Sequence, residues 1–153
     1  MRLSVLKARG FVEARLLYRE RAAAIFGRLM AQRYDATNQV ADQLQEARRS
    51  GLISDRQSQE GLAADLLWGG HIREGRQAIV LVLEAFWTVE TADVRRAASR
   101  VAVLRRAGFK ALPMAAGQEW PPNVQAEARR AGVAMVRDGM VNQASWETAL
   151  AGS

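Results

Sequence analysis

The chain has 153 residues, nearly half apolar and a quarter charged, the balance of one soluble globular domain with a packed core. It has no cysteine, which excludes disulfides, thiolate metal sites and cysteine nucleophiles and makes a reducing cytoplasm the expected compartment; no apolar run reaches the ~18 residues of a membrane helix, and the short Leu3–Leu6 patch after Arg2 does not make a secretory leader. The net charge of +6 is gathered in two patches, eight Arg/Lys within residues 1–34 and six within 91–110, which suit phosphate backbones, acidic partners or anionic surfaces.

From Phe11 to about Tyr34 apolar residues recur near helical spacing, which predicts one long helix fraying over residues 2–10, with Arg15, Arg19 and Arg28 on its polar side. Asp35 can cap a second helix to Ser50, whose narrow stripe of Val40, Leu44 and Ala47 ends at Gly51. Ser54-Asp55-Arg56-Gln57 has the form of a capping box and opens a third helix to about Ala64. These helices share little apolar surface, so residues 1–63 read as a helical or coiled-coil arm that leans on the second half of the chain or on another copy, the latter making a homo-oligomer.

At Asp65 the pattern becomes extended. Leu66 to Arg73 reads as a strand with a bulge at Gly69-Gly70, and Glu74-Gly75 as a hairpin turn. The turn leads into Gln77 to Trp87, an apolar run rich in Ile and Val that reads as a strand buried on both faces. Glu84 is the anomaly in it, because an ionised carboxylate left alone in an apolar setting costs several kcal/mol and must be paired or bound to a cation. Alternation puts Val80, Val82, Glu84 and Phe86 on one face.

Thr91 opens a helix through Ala107, ended by Gly108. Arg95, Arg96, Arg100 and Arg106 fall within a sector of about 140° opposite its apolar side, a candidate phosphate-contacting face. Phe109 to Ala116 reads as a strand in which Pro113 fits the sheet edge or a strand end better than the centre of the sheet, Pro121-Pro122 to Gly132 as a helix, and Val133 to Val136 as a short strand. Residues 64–141 thus form an α/β core, a small mixed sheet with flanking helices, and residues 142–153 a tail in which Trp146 and Leu150 suit one docking turn. His71, the only histidine, reads as a surface or packing residue, and the four tryptophans as fillers of core gaps.

The order helix, strand, strand, helix, strand, helix, strand, with an acidic residue opening the first strand (Asp65) and another ending the second (Glu84), resembles the restriction-endonuclease-like core of the PD-(D/E)xK nuclease superfamily. The stretches Ala64-Asp65-Leu66, Leu83 to Val89, Asp93 to Ala98, Leu104 to Gly108 and Ala111 to Gly117 are similar to a prokaryotic family, itself uncharacterised, that joins an N-terminal coiled coil to a nuclease-like domain. The resemblance implies that Asp65 and Glu84 bind Mg²⁺ for phosphodiester cleavage, with a catalytic lysine two residues after the second acid. That position holds Phe86, which can neither orient water nor hold charge, and Lys110 is the lysine that could substitute from a neighbouring strand. Two readings follow: a nuclease-like protein acting on or binding nucleic acid, with Arg95, Arg96, Arg100 and Arg106 on the phosphates, or a non-catalytic interaction module in which Glu84 is ion-paired to an arginine of the next helix.

Overall fold

A computed structural model describes residues 15–153. Its centre is a six-stranded mixed sheet in chain order: β1 (Met30–Asp35), β2 (Leu66–Ile72), β3 (Ala78–Ala85), β4 (Ala111–Gly117), β5 (Ala134–Arg137) and β6 (Met140–Val141). β1, β2 and β3 run antiparallel in turn, β3, β4 and β5 run parallel, and β6 turns back against β5. Two-residue alternation makes this a three-layer α/β structure. Leu81, Leu83, Leu112, Met114 and Val136 face one side with α1 (residues 15–25) and α6 (Gln143–Ala151). Val80, Val82 and Ala111 face the other, under α2 (Thr37–Arg49) and α4 (Thr91–Arg106), with α3 (Asp55–Leu62) packed beside them. Val94, Ala97, Ala115 and Met135 continue that layer towards α5 (Pro122–Ala131).

The helical arm expected over residues 1–63 is not what its described part forms. The first helix stops at residue 25, ahead of Gly27, and the chain from Met30 becomes an edge strand; the portion expected before residue 15 lies outside the described residues. The strand arises from packing across β2. A Cβ on Gly69 would lie 2.4 Å from the Tyr34 ring, and one on Gly70 would lie 2.8 Å from the Met30 methyl group. The glycine pair is therefore a bed for β1 side chains, and the irregularity expected there sits instead on β1, between Ala31 and Tyr34, where Gln32 adopts φ 53°. Tyr18, Ala22 and Phe26 are buried against the sheet, and the Tyr18 hydroxyl accepts a hydrogen bond from the Gly139 amide at 3.0 Å.

Elsewhere local signals and structure agree. The Ser54–Gln57 capping box forms, and Gly132 ends α5 at φ 69°. Asp35 serves α2 from one residue outside its N-cap, its carboxylate accepting from the Thr37 amide at 2.9 Å and hydroxyl at 2.6 Å. The tail is a full helix, with Trp146 3% exposed.

Pro113 does not mark an edge. β4 lies inside the sheet; the carbonyl of Lys110, just before it, accepts from Val80 of β3, and that of its Ala116 accepts from Phe86, just after β3. Even-numbered residues of β4 therefore bond towards β3, and the missing amide of Pro113 faces β5, whose pairing begins only at Met114. No helix among the described residues is long and apolar enough to cross a membrane.

Candidate functional site

The register of the β2–β3 hairpin pairs Leu66 with Leu83, so Asp65, one residue before β2, lies level with Glu84 near the C-terminal end of β3. The two acids named from the sequence are thus neighbours. Glu84 points into the layer between sheet and α4 with a side chain 4% exposed, and Arg100 Nη1 of α4 forms an ion pair with its Oε1. The Arg100 side chain is 13% exposed, and its Nε has no hydrogen-bond partner among the described residues. Burial pushes the Arg100 guanidinium below the usual arginine range, while the charges of Asp65 and Glu60 act to raise it. One guanidinium therefore answers a group of acids that includes Glu84, Asp65 and Glu60.

Asp65 is engaged differently. Its Oδ2 accepts from the Ala85 amide at 2.9 Å, its Oδ1 is 3.2 Å from Arg15 Nε, and its backbone carbonyl accepts from Arg19 Nε at 3.2 Å. Both arginines come from the polar side of α1. A magnesium ion would need free carboxylate oxygens and retained waters. Here Arg100 stands on Glu84 and each Asp65 oxygen already has a donor, so a shared Mg²⁺ would have to compete with these partners. No group of three or more His, Asp or Glu side chains suited to a metal occurs among the described residues.

Lys110 is placed away from the acids. Glu84 is level with Ala115 in the parallel β3–β4 ladder, and Lys110 stands five residues earlier, ~16 Å along the strand at ~3.3 Å per residue. It therefore cannot assist chemistry at Glu84. Phe86 packs partly buried against the Val89, Val94 and Trp120 cluster.

The four arginines expected to form one phosphate face on α4 have separate structural partners. Arg95 reaches Glu127 of α5 at 3.3 Å, Arg96 pairs with Asp93 at 3.2 Å, Arg106 donates to the Leu52 carbonyl at 3.4 Å, and Arg100 turns inward to Glu84. Glu127 also pairs with Arg130, whose hydrogen bond is the main cause holding the Glu127 carboxyl below its ordinary range. The helical wheel carried a sign of the inward turn. Arg100 stands at the rim of the arginine sector, ~40° from the buried Leu104.

The surroundings of the acids are correspondingly mixed in sign. A concavity of about 260 Å³ beside Asp65 is lined by Arg19, Asp35, Thr37 and Trp68. Asp35, held below the usual carboxylate range chiefly by the Thr37 hydroxyl, contributes a second negative group there. This end of the sheet also receives Glu90 and Asp93, which form the capping box at the start of α4, and Glu119, which accepts from the Trp87 indole at 3.0 Å. Comparison of the chain with protein-family models, with curated proteins and with solved structures found no match.

Proposed function

We propose that this chain is a nuclease-like domain that binds nucleic acid without cleaving it. The observation that carries the reading is the Arg100 guanidinium on Glu84, where cleavage of the PD-(D/E)xK kind needs a divalent cation. A guanidinium supplies positive charge but offers no site for an activated water and stays protonated at neutral pH. Among the described residues no lysine stands near Glu84, where Phe86 is apolar and Lys110 is distant, and this supports the same conclusion. The net charge of +6 favours a polyanionic partner.

The test is a fluorescence-anisotropy titration of labelled DNA and RNA oligonucleotides in EDTA and again in Mg²⁺, with the oligonucleotides examined afterwards on a denaturing gel. Binding that is equal in both buffers and leaves the strands intact is expected. Mg²⁺-dependent cleavage that Glu84→Gln abolishes would overturn the non-catalytic reading, and no binding even at low salt would overturn the nucleic-acid reading.

A further inference from the structure

The starts of β3 and β4, the β2–β3 turn and the beginning of β1 all lie at the end of the sheet opposite Glu84. Topology thereby brings Arg28, Arg73, Arg76 and Lys110 to one end, with Glu74 the carboxylate of the turn itself. Within this end a concavity of about 550 Å³ is lined by Ala31, Gln32, His71, Ile72, Arg73 and Arg76, and no carboxylate is among these residues.

Three features make it a built site. Arg73 Nε donates to the Gly27 carbonyl at 2.8 Å, which orients the guanidinium, and neither Arg73 nor Arg76 is ion-paired among the described residues. His71 Nδ1 is buried with no hydrogen-bond partner there. Gln32 takes its φ of 53° at the β1 irregularity and Arg76 its φ of 55° in the β2–β3 turn, and these two bends set both residues at the concavity. Two guanidiniums at a concavity whose lining holds no carboxylate match the charge and hydrogen-bonding capacity of a phosphate group, and the imidazole of His71 beside them reports on the site.

We propose that this concavity binds a backbone phosphate of nucleic acid, so that the strand docks on the end of the sheet away from the acidic residues. This assignment rests on the nucleic-acid reading above and moves the contact to the opposite end from that expected of a nuclease.

Because His71 is the only histidine, its imidazole signals in NMR report on the site without ambiguity. The full chain is titrated with inorganic phosphate, a short single-stranded oligonucleotide and a short duplex, as wild type, Arg76→Gly and Arg73→Gln. Arg76→Gly removes the cation and relieves the positive φ, so it should fold at least as well as the wild type. The expected result is movement of the His71 signals with phosphate and with oligonucleotide. Each substitution should weaken oligonucleotide binding roughly five- to tenfold at low salt, and each should lower the slope of log affinity against log salt by about one.

Unchanged affinity and slope in both variants, with His71 signals that stay still while the wild type binds oligonucleotide, would overturn the site and leave the nucleic-acid reading standing. A wild type that binds no oligonucleotide removes that reading and this assignment together. Phosphate that moves the His71 signals while oligonucleotides do not would show a phosphate site with a different source and overturn the assignment to nucleic acid.

Discussion

Removing one member of the buried Glu84–Arg100 pair should destabilise the fold far more than removing both. With the side chains 4% and 13% exposed, Arg100→Met leaves a carboxylate facing the sheet–helix layer without its cation, and Glu84→Met leaves a guanidinium there. Two unit charges about 4 Å apart at an effective dielectric of about 20 attract by ~4 kcal/mol, and breaking buried pairs costs ~3–5 kcal/mol. Each single substitution is therefore expected to lose ~3 kcal/mol or more. The double substitution replaces both charges with apolar groups of similar length and should recover most of that loss, a coupling of ~2 kcal/mol or greater. The four tryptophans provide the signal for urea unfolding, in which the midpoint shifts while the slope is retained. If both singles lie within 1 kcal/mol of the wild type and the cycle shows no coupling, the pair is not what satisfies Glu84, and the argument against a metal at that position loses its basis.

Gly117→Ala should destabilise by ~2 kcal/mol in the same assay. The added Cβ would sit 2.6 Å from Val89 Cγ2 and 3.2 Å from the Phe86 carbonyl oxygen, and Val89→Ala on the same chain should relieve part of the loss. Thr37→Val removes the hydroxyl that most lowers the Asp35 carboxyl. Because the folded value is depressed, the contribution is fully present above the unfolded value of ~3.9 and is lost as pH falls through the lower folded value. A difference of ~0.5–1 kcal/mol at neutral pH that vanishes at the acid end is expected; a difference independent of pH would refute the assignment. Arg95→Ala and Arg96→Ala should change oligonucleotide affinity less than twofold, since both side chains already answer carboxylates of the chain itself, and a tenfold loss in either would return the phosphate face to α4.

Much of the fold was legible in the sequence because the signals are local. The apolar run at β3, the turn at Glu74-Gly75, the capping box at Ser54 and the Pro-to-Gly span of α5 each depend on residues a few positions apart. β1 was not legible, because residues 30–35 carry a pattern that continues the preceding helix, and the strand exists only where Met30 and Tyr34 can lie across the two glycines of β2. Pro113 misled for a related reason. Its missing amide rules out an inner strand only if a partner is there to receive it, and β5 starts one residue too late to need it.

By itself the sequence determined that Glu84 needs a partner, since an apolar strand cannot hold a bare carboxylate, and only a resemblance to the nuclease superfamily set Phe86 at the position of a lysine. Which cation meets Glu84 was decided only in three dimensions. Arg100, at the rim of its helical face, turns inward when α4 packs over β3, and the parallel register of β3 and β4 sets Lys110 at the far end of the strand. Strand direction and register decide which end of the sheet each charge occupies, and no spacing along the chain encodes them. In this protein they gather the acids beside Glu84 and leave Arg73, Arg76 and His71 together at the other end.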